Sequence, residues 1–112
     1  METVYIYVIG QECGPVKVGI SSTPWTRVKS ISTSSPLKVK LLYCLPMRDR
    51  EHARIHENLF HAVYDENRMS GEWFNLSAED AIEGICVSLE HERVLRERHR
   101  EERASRQPER LQ

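Results

Sequence analysis

No hydrophobic run in this sequence approaches the roughly 20 apolar residues of a membrane span, so a role embedded in a bilayer is not expected. Cysteine is scarce. The three residues Cys13, Cys44 and Cys86 make an odd number and form no CxxC pair, which argues against a disulfide framework and against a zinc ribbon. Reduced thiols in a cytoplasmic setting are the expectation, with Cys44 and Cys86 as core fillers and Cys13 exposed in a turn. No basic-plus-apolar leader opens the chain. Glycine-rich phosphate loops, nucleophile elbows and internal repeats are also missing. The zinc-protease pattern fails on spacing. His56 and His61 are five apart, about 140° around a helix, and His52 and His56 are four apart without a glutamate directly after His52.

Net charge is nearly absent as well, at -1, so bulk charge does not make the molecule a polyanion binder. Its distribution is uneven. Residues 1–50 hold 7 Lys/Arg against 3 Asp/Glu, whereas residues 51–86 hold 2 against 8. A basic region beside an acidic one suits a phosphate-plus-metal site. With 112 residues, 39% hydrophobic and 29% charged, the chain supports one modest core. We divide it into a domain over 1–89 and a charged tail over 90–112.

Periodicity organises the domain. Thr3 to Ile9 reads as a strand with Val4, Ile6 and Val8 on one face and Tyr5, Tyr7 and Ile9 on the other. After turn-formers at Gln11–Pro15, Val16 to Ile20 reads as a second strand, with Val16, Val18 and Ile20 on one face and Lys17 and Gly19 on the other. Paired as a hairpin, the two strands turn their valines and isoleucines into the core and gather Tyr5, Tyr7 and Lys17 opposite. Gly19 on that face permits close approach of a ligand or a neighbouring element.

Ser22-Thr23-Pro24 predicts a helix start, with Trp25, Val28 and Ile31 at helical spacing and Arg27 off that stripe. The hydroxyl-rich stretch to Ser35 and Pro36 ends it. Leu37 to Leu45 reads as a third strand, stopped by Pro46. A second helix is expected from Arg48 to about Asn67, with Ala53, Leu59, Phe60, Val63 and Tyr64 as its apolar stripe. Glu57 falls within about 40° of Ala53 and Tyr64 and therefore at the edge of the buried face. Glu72 to Leu76 reads as a short strand or extended segment, with Glu72, Trp73 and Phe74 as packing plus one surface acid. Ser77 and Asp80 resemble a capping box before a last helix whose core face is Ala81, Ile82, Ile85, Cys86 and Leu89. From Glu90 the chain is mostly Glu and Arg. It is expected to continue as a solvated helix supported by pairs such as Glu92–Arg96 and Glu102–Arg106, fraying near Pro108.

Read in order, Tyr5-Ile6-Tyr7, Lys17-Val18-Gly19, Arg27, Ile55-His56-Glu57-Asn58-Leu59 and Gly71-Glu72-Trp73-Phe74 resemble the GIY-YIG nuclease superfamily over roughly residues 3–86. The lysine in the second motif and the Gly-Glu-Trp-Phe ending resemble a phage-associated branch of it. Tyr5 stands where the founding pattern has glycine, and Lys17 where it has tyrosine. The resemblance implies an α+β fold, a small three-stranded antiparallel sheet flanked by helices, which agrees with the β-β-α-β-α order and tail helix read from periodicity.

It also implies metal-dependent hydrolysis of DNA phosphodiesters. Glu57 would hold Mg²⁺ or Mn²⁺. Tyr7 would orient or deprotonate the attacking water, helped by Lys17 and the metal lowering its pKa. Arg27 would bind a non-bridging phosphate oxygen, and His61 would move a proton or touch phosphate. Tyr5, Lys29, Ser30 and Trp73 are the further residues expected against DNA, Trp73 by stacking on a base. DNA is the expected partner, with a homodimer or a partner on the C-terminal tail as additions. Two other functions fit the same residues: a DNA-binding or regulatory module of this fold without turnover, and a protein-interaction adaptor acting through the tail.

Overall fold

The computed structural model describes residues 2–34 and 38–105. Pro36 and Leu37, the Arg106 of the expected Glu102–Arg106 pair, and Pro108 lie outside the described residues. The elements are β1 (Tyr5–Gly10), β2 (Val16–Ser21), α1 (Pro24–Ser34), β3 (Lys40–Pro46), α2 (Arg50–Val63), a 3-10 turn (Asp65–Asn67), β4 (Arg68–Ser70), β5 (Trp73–Phe74) and α3 (Ala78–Ser105). The fold is α+β.

The sheet is larger than the expected three strands. It has five, all antiparallel, in the order β3-β1-β2-β5-β4. The addition is a small hairpin, β4–β5, laid on the outer edge of β2 through Val16↔Phe74 and Lys17↔Trp73. Gly71, at φ +56, makes its turn, a backbone state that costs glycine little. Arg68 pins it. Its guanidinium donates to the Gly71 carbonyl at 2.8 Å and lies over the Phe74 ring, 5.4 Å from the centroid. These strands have three and two residues, too short to carry an alternating pattern.

The β1–β2 register is the one that strand parity requires, with Tyr7 opposite Gly19 and Val8 opposite Val18. Val4, Ile6, Val8, Val16 and Val18 form a buried face against Ala53 and Phe60 of α2, Phe74, and Ala81 and Ile85 of α3. Phe74 is fully buried. Truncating such a residue to alanine costs about 3–5 kcal/mol. The other face of the sheet carries Tyr7 and Ile9, also fully buried, with α1 packed against β1, β2 and β3.

Helix α2 departs from its expected span and stripe. It begins at Arg50 because the Asp49 side chain accepts the His52 N–H at 2.8 Å, and it gives way after Val63 to the 3-10 turn. Its buried residues are His52, Ala53, His56 and Phe60. Leu59 and Val63, assigned to the core by their chemistry, are 47% and 71% exposed. The histidines are buried because α3 satisfies them. His52 Nε2 lies 3.0 Å from Glu92 Oε1, His56 Nε2 2.6 Å from Glu92 Oε2, and His56 Nδ1 2.7 Å from Ser88 Oγ.

Helix α3 starts where Ser77 Oγ accepts the Asp80 N–H at 3.1 Å. Ala81 and Ile85 are buried, with Ile82 and Leu89 packed against the core. Cys86 is exposed instead of filling the core, its sulfur 3.7 Å from the Tyr43 hydroxyl, and Cys44 is half-buried. The helix runs unbroken through residue 89 to Ser105, about 42 Å in all.

Candidate active site

The site forms on the β1–β2 face, at the stretch of the β2 edge that β5 leaves uncovered. Tyr7 and Gly19 are register partners, so their α-carbons face the same way. A side chain at Gly19 would begin 2.5 Å from the Tyr7 hydroxyl and 3.2 Å from Glu72 Oε2. Glycine therefore allows the phenol to lie flat across β2 and its hydroxyl to reach the Glu72 side.

The β2 edge is held by its neighbours. Val18 N–H donates to the Glu72 carbonyl at 3.1 Å, and the Val18 carbonyl accepts from His61 Nε2 at 2.9 Å. The second bond sets the His61 tautomer. A carbonyl only accepts, so Nε2 carries the proton and Nδ1 is the remaining free nitrogen. One turn before His61 on α2, Glu57 is half-buried and within hydrogen-bonding reach of Glu72. Lys17 Nζ pairs with Glu72 Oε2 at 2.9 Å, the lysine side chain only 13% exposed.

From the opposite side α1 sets Arg27 close enough to Tyr7 for its charge to act on the phenol. Tyr7, Lys17, Arg27, Glu57 and His61, read from separate segments, thus lie in one chain of neighbours joined by Glu72. The other anticipated DNA contacts are not in that chain of contacts. Tyr5 packs edge-on to Trp25, with ring centroids 5.6 Å apart, and Lys29 and Ser30 stand exposed on α1. Trp73 is the register partner of Lys17 and so flanks the site along the sheet.

The electrostatics are strained. Burial raises the Glu57 pKa, the Glu72 carboxylate raises it further, and His61 opposes only in part. Burial also raises the Tyr7 phenol above its usual range, against the lowering influence of Arg27, while Glu72 and Glu57 push it up again. This revises one expectation. The cation that lowers Tyr7 is Arg27, while Lys17 is engaged by Glu72.

Glu72 is the functional candidate that sequence reasoning treated as a surface acid. Its one signal was its place between a turn glycine and Trp73, and its position became plain only once β5 was seen to pair with β2. Two neighbouring carboxylates, one held by lysine and the other raised in pKa, form an all-oxygen donor set that fits a hard divalent cation keeping several waters.

The family model of the T5orf172 domain matches residues 2–89, a span that holds every one of these side chains. The chain belongs to the T5orf172 domain family. That family is phage-associated, which suggests a DNA-related role. No curated protein and no solved structure matches the chain. The T5orf172 match ends at Leu89, so the second half of α3 lies outside it. No helix among the described residues is long and apolar enough to cross a membrane.

Proposed function

We propose that this T5orf172 domain is a metal-dependent DNA endonuclease or nicking enzyme of the GIY-YIG type. The observation that carries the reading is the meeting of a phenol, a guanidinium and two adjacent carboxylates, contributed by β1, α1, α2 and the β4–β5 turn, at one sheet edge. Beside the Lys17–Glu72 ion pair, the cluster also sets the half-buried Glu57 carboxylate against Glu72.

Glu57 and Glu72 would hold Mg²⁺ or Mn²⁺. Bound there, the ion supplies positive charge against the scissile phosphate and offsets the carboxylate field that holds the Tyr7 phenol up. The remaining work belongs to the chain. Arg27 binds a non-bridging phosphate oxygen and, through the same guanidinium, fixes the phenol oxygen beside it. Tyr7 aligns the attacking water and accepts its proton as the phenolate, after its own hydroxyl proton has passed to solvent. Lys17 keeps the Glu72 carboxylate turned toward Glu57. His61 is a positioning residue that ties α2 to the β2 edge and so sets the depth of Glu57. Trp73, Tyr5, Lys29 and Ser30 are proposed contacts to the flanking nucleic acid.

A second reading is a DNA-binding module of the same fold without turnover. The residue-level burial of Tyr7, 1% exposed, favours it. A nicking assay on supercoiled plasmid with Mg²⁺, Mn²⁺ or EDTA separates the two when run beside Glu57→Ala. Metal-dependent nicking that the variant loses supports the enzyme. DNA binding without nicking on duplex, single-stranded or branched substrates supports the module. Salt-insensitive or absent DNA binding would leave the adaptor reading in place of both.

A further inference from the structure

The two faces of the sheet differ in charge. Residues 13–48, which supply β2, α1 and β3, hold six Lys/Arg and no Asp or Glu. Residues 49–92 hold three Lys/Arg against eleven acids, and they supply α2 and the first half of α3 on the opposite face. A polyanion therefore meets the protein most favourably from the α1 side. Pro24 is the buried residue of α1, Val28 and Ile31 are half-buried, and the other side chains of the helix stand exposed.

Trp25 is the aromatic member of this surface. Its spacing with Val28 and Ile31 put it on the inward stripe of α1, yet it is 51% exposed. Its ring meets that of Tyr5 at 5.6 Å between centroids and 70° between planes. A near-perpendicular contact with one neighbour fixes the indole while covering at most one of its faces. Tyr5 shares its sheet face with Tyr7, two residues and about 7 Å along β1, so the indole is held beside the candidate active site. One turn on, the exposed Lys29 lies about 40° around the helix from Trp25 and about 6 Å along it. Arg27 lies about 160° around from Trp25, on the flank that acts on Tyr7. The first turn of α1 thus carries a stacking ring on one flank and the proposed phosphate-binding arginine on the other.

We propose that the first turn of α1 is a platform for an unpaired DNA strand, with Trp25 stacked on one base and Lys29 holding the adjoining phosphate. The inference rests on the reading of the neighbouring site as a DNA site, and it adds the form of the substrate. Every base has a π face, so stacking on Trp25 reads no sequence. It does require a base whose face is free. Inside a duplex both faces are taken by neighbouring pairs, whereas a single strand, an overhang or a branch supplies a free one. Trp25 is thus a specificity-determining residue that selects the form of the strand. Lys29 supplies charge to either form. From the indole the strand crosses the turn to Arg27, which sets its phosphate beside Tyr7.

Binding by the full chain in EDTA, where a metal-dependent reaction does not proceed, tests this apart from turnover. The probes are a labelled single-stranded oligodeoxynucleotide and its blunt duplex. The expected result is tighter binding of the single strand, with Trp25→Ala weakening it about tenfold, Trp25→Phe restoring most of the loss, and duplex binding little changed. Lys29→Ala should weaken both forms and flatten their salt dependence. Trp73→Phe leaves Trp25 as the remaining tryptophan, and saturation with the single strand should quench its fluorescence. Unquenched fluorescence at saturation overturns the proposal. So does a Trp25→Ala loss that is equal for single strand and duplex, or a chain that binds no single strand. Metal-dependent nicking with Trp25 unquenched overturns the platform alone, and Trp25-dependent binding without nicking overturns the nuclease reading alone.

Discussion

Helix α2 contributes to two polar clusters, and they are opposite in kind. On one face, His52 and His56 lie buried against Glu92, His52 Nε2 within 3.0 and 3.2 Å of its two oxygens and His56 Nε2 2.6 Å from Oε2. The Arg48 N–H donates to His52 Nδ1 at 3.2 Å, so His52 Nε2 is a donor to Glu92. Burial pushes the Glu92 carboxylate up, but the hydrogen bonds from His56 and His52 outweigh it and hold its pKa below the usual range. On another face of the same helix, Glu57, the residue directly after His56, meets another carboxylate, and its pKa is raised.

The three side chains of the first cluster offer ligand atoms within 4.8 Å of one another, which resembles a metal site by distance alone. The hydrogen bonding says otherwise. A metal on His52 Nε2 would need that nitrogen bare while Nδ1 is already accepting, leaving the ring with no proton. The first cluster is a brace, with its polar atoms paired. The second is incompletely compensated, and a site where like charges are held together is where chemistry is expected.

The sharpest break in this comparison is functional. Glu57→Ala should abolish metal-dependent nicking, by about 10³-fold or more, while DNA binding and folding persist. Tyr7→Phe should reduce nicking by about 10²–10⁴-fold, the range of general acid–base contributions, in single-turnover assays with saturating metal. The brace should behave in the opposite way. Glu92→Ala leaves two buried histidines without their acceptor and should lower stability by about 1–3 kcal/mol in urea melts, with nicking per folded molecule retained.

The smallest effects follow from pH and oppose each other in sign. The Glu92 pKa is depressed by folding, so its contribution is present above the unfolded carboxylate pKa and disappears as pH falls through the lower folded value. The Glu57 pKa is raised by folding, so the native state binds more protons in that window and stability falls as pH rises through it. Glu57→Gln should therefore raise the melting temperature at neutral pH, and the gain should vanish as pH drops below the unfolded carboxylate pKa. Equal gains at both pH values would mean that the strain lies elsewhere.

The difference between the clusters also explains what was legible in the sequence. The Tyr7–Gly19–Lys17 face followed from strand parity, because two alternating strands joined by a turn leave few choices of facing. Glu57 was placed at the edge of α2 by angle alone. Glu72 escaped because a two-residue strand has no period, and its pairing with β2 is a long-range event. The brace escaped because hydrophobicity pointed the core stripe at Leu59 and Val63. The helix instead turns His52 and His56 inward, a choice that depends on Glu92, 40 and 36 residues away. Buried polar residues are hard to foresee because their partners decide them.

The most direct test of the account is a thermal melt at neutral pH, titrated with Mn²⁺, on four proteins: the intact chain, Glu57→Gln, Glu72→Gln and Glu92→Ala. If the paired carboxylates hold the ion, Mn²⁺ raises the melting temperature of the intact chain and of Glu92→Ala, and leaves the Glu57 and Glu72 variants unmoved. An equal rise in all four proteins, or a response lost only in Glu92→Ala, would contradict it and make the brace the metal site.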